Sequence, residues 1–185
     1  MKIPVALLLA TIATPATFSQ EAASPGAVTP LRKPDVRYQP SPQKKVKEML
    51  DLAGVQPGDV VYDLGSGDGR IPISAVKEYR ARGVGIDIDP RRIAEAKANA
   101  RAAGVDGQVE FRNEDLFEAD FSDATVVTLF LWPDINRKLR PKLMQLKPGT
   151  RIVSYWHDMG DWRPDKKIKG GLFGGHIYLW TIPQR

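Results

Sequence analysis

The chain has no cysteine and only two histidines, His157 and His176, among its 185 residues. Without a thiol there is no disulfide framework, no thiolate nucleophile and no cysteine-held metal. Two lone histidines also make a poor basis for a metal site, so no metal is expected. Long apolar runs are missing too. The run from Ile3 to Ala13 is interrupted by Pro4 and falls well short of the roughly 20 apolar residues that span a bilayer. The excess of one charge is small at +5, and the basic residues are scattered among Lys44-Lys45-Lys47, Arg91-Arg92, 137–151 and 163–169. That distribution reads as a solvated surface and not as a specific nucleic-acid site.

What is present fits one domain with an extension. A hydrophobic share of 42% over this length supports one sizeable core. The first residues read as a cleavable signal peptide: Met1-Lys2 is a basic start, the apolar run follows, and Thr17-Phe18-Ser19 places small residues at the third and first positions before a cut at Gln20. Export to the periplasm or beyond is therefore expected, with no stable membrane insertion after cleavage. The alternatives are an uncleaved membrane anchor or a cytoplasmic protein. Residues 20–37, rich in Pro, Ala, Ser and Gly, read as a flexible leader. The expected organisation is signal peptide 1–19, leader 20–37 and folded domain 38–185. No signal of oligomeric state is present.

Within the domain, strands and helices alternate. Ser41 and Pro42 predict a helix start, with Ser41 as N-cap, and Val46, Met49, Leu50 and Ala53 share one face up to Gly54. Predicted strands cover 60–64, 83–88, 108–111, 124–131, 150–155 and 176–182. Predicted helices cover 69–79, 90–103 and 133–146, with Asp89 capping the second. This is the pattern of an α/β fold, a mostly parallel twisted sheet with right-handed crossovers and helices on both faces. The glycine pairs Gly170-Gly171 and Gly174-Gly175 predict a turn before the last strand and hence an antiparallel C-terminal edge.

The richest segment is Val60-Val61-Tyr62-Asp63-Leu64-Gly65-Ser66-Gly67-Asp68-Gly69-Arg70. An apolar strand ends in an acid and runs into a glycine turn that opens a helix, so unpaired helix N–H groups face a ligand. The dinucleotide fingerprint spaces its glycines G-x-G-x-x-G; here Gly65, Gly67 and Gly69 read G-x-G-x-G, with Asp63 two residues ahead of the first. A carboxylate there repels pyrophosphate and attracts a cationic cofactor. Asp87, eighteen residues beyond Gly69 at the end of the second strand, stands where a carboxylate accepts both ribose hydroxyls. At the end of the fourth strand, Phe130, Trp132, Pro133, Asp134 and Asn136 either present an acceptor or pack the sheet and begin a helix.

The 63–70 loop resembles motif I of the class I S-adenosylmethionine (SAM) methyltransferases. With Tyr38-Gln39-Pro40-Ser41-Pro42, Gly83-Val84-Gly85-Ile86-Asp87-Ile88 and Leu131-Trp132-Pro133-Asp134-Ile135-Asn136, the chain looks like the small archaeal lysine methyltransferases related to the mitochondrial enzyme for the ATP synthase c-subunit. The resemblance covers about residues 38–182. It implies a Rossmann-like class I methyltransferase fold, SAM as cofactor and a protein lysine as acceptor. It further implies cofactor contacts from Tyr38, Ser41, Asp63, Gly65, Ser66, Gly67, Asp87, Ile88, Asp115 and Leu116, with Asp115 accepting from the adenine amine. Trp132, Pro133 and Asp134 would present the acceptor. Two departures from the pattern stand out: Glu114 before the acid of the third motif, and the aromatic Tyr155-Trp156-His157-Asp158-Met159 after the fifth strand. The alternative function is an exported, non-catalytic binding module on the same fold.

Overall fold

A computed structural model describes residues 31–170 and 174–184. The expected signal peptide and most of the leader, like part of the glycine turn before the last strand, lie outside the described residues. The elements run α1 (Gln43–Leu52), β1 (Val60–Leu64), α2 (Arg70–Tyr79), β2 (Arg82–Asp87), α3 (Pro90–Ala102), β3 (Val109–Asn113), β4 (Val126–Leu129), α4 (Pro133–Leu143), β5 (Arg151–Tyr155), β6 (Lys166–Ile168) and β7 (Ile177–Thr181). The strands form one seven-stranded sheet in the order β3-β2-β1-β4-β5-β7-β6. All pairings are parallel except those of β7, which runs antiparallel to both β5 and β6. No helix among the described residues is long and apolar enough to cross a membrane.

Alternation along the strands sorts the core into two faces. Val61, Val126, Val153 and Leu179 pack with Val46, Met49 and Leu50 of α1 and Ile71 and Ala75 of α2. Tyr62, Leu64, Val127, Leu129, Ile152 and Trp180 pack on the other face with Leu139 and Leu143 of α4. Each fully buried aliphatic side chain of this kind contributes about 1.5–3 kcal/mol. Helices thus cover both faces, as the near-continuous apolar strands require.

Two local expectations are corrected. Ser41 is not the cap of α1: Pro42 holds that position with an extended backbone, and its carbonyl accepts from the Lys45 and Val46 amides at 2.7 and 3.1 Å. Ser41 is instead buried, and its carbonyl accepts from Arg70 at 2.7 Å, which draws it toward the glycine loop. The second correction concerns residues 32–37, expected as free leader. Arg32 reaches Asp115, and Val36 packs against the core, so contact with the domain starts earlier than Tyr38. Asp89 does cap α3, accepting from the Arg91 amide at 2.9 Å.

At the N-terminal pole of the sheet, Asp59 ties three chain segments together. It accepts from the Thr125 hydroxyl at 2.7 Å and the Gln56 amide at 2.9 Å, and it pairs with Arg151. Arg151 also donates to the carbonyls of Ala53 and Gly54 at 3.0 and 2.9 Å. Burial works to raise the Asp59 pKa, but these donors outweigh it and hold the carboxyl below the ordinary range.

Candidate functional site

The chain leaves β1 toward β2 and β3, then crosses back to β4 on the other side of β1, so the strand order reverses between β1 and β4. The crevice beyond the carboxyl ends of those strands is where open α/β sheets bind ligands. Asp63 sits there, opposite Thr128 in register, and accepts from the Thr128 hydroxyl at 2.7 Å. It is buried and has no cation partner among the described residues. Burial, with the nearby Asp87 and Asp68 charges adding to it and Thr128 opposing, pushes its carboxyl up to about 7.

The glycine loop begins as β1 ends. The Gly65 and Ser66 amides donate to the Ile86 carbonyl at 2.8 and 2.9 Å, and Gly65, Gly67 and Gly69 all take positive φ. Gly67 is further constrained by contact: a Cβ there would lie 2.3 Å from the Tyr38 ring. The Ser66 hydroxyl is buried without a partner among the described residues. The Gly67 amide donates to Asp87 at 2.8 Å, and the Asp89 amide to its other oxygen at 2.9 Å. Burial raises the Asp87 carboxyl from its ordinary value, against the pull of those two amides.

One cleft gathers Tyr38, Gly65, Asp87, Ile88, Leu116 and Leu131. A second recess, adjoining it through Tyr38 and Gly65, gathers Ser41, Asp63, Ser66 and Asp68. Nine of the ten expected cofactor contacts meet in this way or, like Gly67, in the loop that floors it. Asp115 stands apart. Arg32 grips it from two nitrogens at 2.5 and 3.1 Å, the Phe117 amide donates to it at 3.0 Å, and the Arg32 fork holds its carboxyl below the ordinary range.

A third cavity continues from the cleft through Phe130 and Leu131 and is walled by Trp132, Trp156 and His157. Of the three residues expected to present an acceptor, Trp132 lines it. Pro133 instead supplies the first residue of α4, and Asp134 is exposed and paired with Arg137. The sequence marks Trp156 and His157 only as an aromatic departure. Trp156 takes φ +73°, a strained conformation for a bulky residue, with its amide donating to the His176 carbonyl at 2.7 Å. Gly175 makes this possible, since a Cβ there would come 2.3 Å from the indole. The His157 ring stacks on Trp132 with centroids 6.2 Å apart. Fully buried Asn136 and Ser154 hold the turn: Ser154 donates to the His157 carbonyl at 2.6 Å, and Asn136 to the Asp158 carbonyl at 3.2 Å. Residues 36–39 of the N-terminal strap also contribute, with Val36, Arg37 and Gln39 lining both the cleft and the cavity.

The donor set fits SAM. A buried, uncompensated carboxylate suits a cationic end, the orphaned Ser66 hydroxyl awaits a partner, and the glycine cradle admits a ligand where a Cβ would intrude. No cluster of metal-ligating side chains occurs among the described residues.

Fold and site together define a class I SAM-dependent methyltransferase, with SAM as its cofactor. Solved structures carry the same fold: one described as an RNA methyltransferase from Salinibacter ruber, in complex with S-adenosyl-L-homocysteine, is 55% identical with a TM-score of 0.77, covering 80% of this chain and 95% of that one. Another, a SAM-dependent methyltransferase from Geobacter sulfurreducens with the same product, is 26% identical with a TM-score of 0.54 over 60% of this chain and 47% of its own. The chain belongs to the family of the ANTKMT methyltransferase domain, whose model matches residues 63–166. A protein-lysine N-methyltransferase of Saccharolobus islandicus is 44% identical over 153 residues, 80% of this chain and 95% of the relative. The mouse lysine N-methyltransferase of the ATP synthase c-subunit is 31% identical over 151 residues, 81% of this chain, and the match spans 60% of its own length.

Proposed function

We propose that this chain transfers the methyl group of SAM to the side-chain amine of a protein lysine. The observation that carries the reading is the aromatic cavity of Trp132, Trp156 and His157, joined to the cofactor cleft through Phe130 and Leu131. A slender cationic chain suits such walls, which attract an ammonium through their π faces. The names of the Saccharolobus and mouse relatives support the same acceptor.

Bound SAM supplies an activated methyl group on a sulfonium, so the protein's task is positioning and desolvation. Asp63, with Ser66, would hold the amino-acid end, and Asp87 the ribose. Ile88 and Leu116 would flank the adenine, with Asp115 reaching its amine once shared with or released by Arg32. Tyr38 and Ser41 close the cleft from the strap. A cavity opening onto the cofactor cleft disfavours the alternative of a non-catalytic module.

The test is incubation of the purified protein with methyl-labelled SAM and either lysine peptides or RNA, the acceptor class in the name of the Salinibacter protein. Label on lysine, lost in Asp87→Ala, is expected; label on RNA alone would refute the lysine reading. Export is proposed from residues 1–19 alone, and cell fractionation with N-terminal sequencing checks it: the expected product begins near Gln20.

A further inference from the structure

His157 lines the acceptor cavity with both ring nitrogens free of hydrogen bonds among the described residues. The other histidine is occupied, its Nδ1 accepting from the Gly170 amide at 3.1 Å. A lysine arrives protonated and has no lone pair with which to attack, so its proton must go somewhere. No carboxylate among the described residues lines this cavity, and its one other ionisable residue, Arg37, cannot accept a proton.

We propose that His157 is a catalytic residue that takes the proton from the acceptor ammonium; the proposal rests on the lysine reading above. The proton passes from Nζ to an imidazole nitrogen. The lone pair left on Nζ forms the new N–C bond to the methyl carbon, the C–S bond breaks, and its electron pair returns to sulfur, giving a neutral thioether. The imidazolium then releases its proton to water.

The surroundings favour this role. Burial holds the ring below its ordinary pKa, with Asp158 opposing, so the imidazole is neutral and ready at neutral pH. The charged groups near it are Arg37, which lines the same cavity, and exposed Asp158, next in the chain; Asp134 of α4 lines the neighbouring recess with Trp132 and is itself paired with Arg137. The Arg37 charge disfavours an ammonium that has entered, lowering its pKa toward that of the base. The Trp132 stack and the Ser154 and Asn136 hydrogen bonds fix the ring's place.

His157→Phe keeps the stack and removes the base. With a lysine peptide, the unaltered protein should show a nearly flat profile of kcat/KM from about pH 7 to 9, because His157 is neutral throughout. The variant should be about 100-fold slower at pH 7, rise tenfold per pH unit as free amine accumulates, and approach the parent near pH 9. Its SAM affinity and melting temperature should stay unchanged, and His157→Asn guards against a packing artefact by showing the same profile. A readout independent of turnover is NMR of the imidazole: with S-adenosyl-L-homocysteine present, adding the peptide should shift the His157 resonances and leave those of His176 in place. A variant that tracks the parent at every pH, or His157 resonances indifferent to the peptide, overturns the proposal while the lysine reading stands. Methyl transfer to RNA alone overturns both.

Discussion

The two poles of the sheet treat a buried carboxylate in opposite ways. At the N-terminal pole, Asp59 is surrounded by the Thr125 hydroxyl, the Gln56 amide and the Arg151 guanidinium, and its charge is stabilised below the usual range. At the C-terminal pole, Asp63 is buried with one hydroxyl donor and no cation among the described residues, and its carboxyl is driven up to about 7. The residues are only four positions apart in sequence. The first arrangement holds segments of chain together; the second leaves an electrostatic demand that a cationic ligand meets. A fold that leaves a buried charge uncompensated at one end gives up stability there for binding, which is where perturbed groups of functional sites are found.

Breaking the structural pole should have the largest effect. Asp59→Ala leaves Arg151 half-enclosed without its carboxylate, and chemical denaturation should show a loss of about 3 kcal/mol. The complementary change, Asp63→Asn, should weaken SAM binding by about 10- to 100-fold in calorimetry, the value of one charge-assisted hydrogen bond. Its unliganded form should be as stable as the parent or more so.

The pH dependence sharpens the contrast. Asp63 titrates near 7 when folded but near its ordinary 3.8 when unfolded, so between those values the folded state binds the extra proton. Its contribution to stability is therefore present below pH 3.8 and lost as pH rises toward 7. Asp59 has the opposite sign: its contribution is present above its ordinary pKa and lost as pH falls through the lowered folded value. Thermal melts of the ligand-free protein should decline across the Asp63 window, and Asp63→Asn should flatten that decline. The smallest effect is expected from Arg32→Ala. The Arg32–Asp115 pair is partly exposed, so its loss should change stability by less than about 1 kcal/mol.

Sequence patterning makes the β1 to α3 region legible because punctuation is explicit there. Asp89 and Pro90 start α3, Gly104 ends it, and the strand β1 lies between the Pro57-Gly58 turn and the glycine loop. Asp63 and Asp87 can be placed because each stands at the end of a strand at a set distance from the glycines. Other features depend on tertiary contact. Strand β6, Lys166–Ile168, is three exposed residues with no apolar period and forms only because β7 is there to pair with. Ser41 carries a plausible cap signal, which the Arg70 hydrogen bond to its carbonyl overrides. The strap at 32–37 has the composition of a linker, and its hold depends on Asp115, 83 residues away. Trp156 and His157 are visible as unusual, but their position depends on Gly175 and Asn136, which no local pattern connects to them.

The most direct test is calorimetric titration of SAM into the folded protein and into Asp63→Asn at pH 8, where the native carboxyl is ionised. One SAM per chain, bound markedly more weakly by the variant, is the expected result. No binding at millimolar SAM, or equal affinity in the two proteins, would contradict the assignment of the uncompensated pole as the cofactor site.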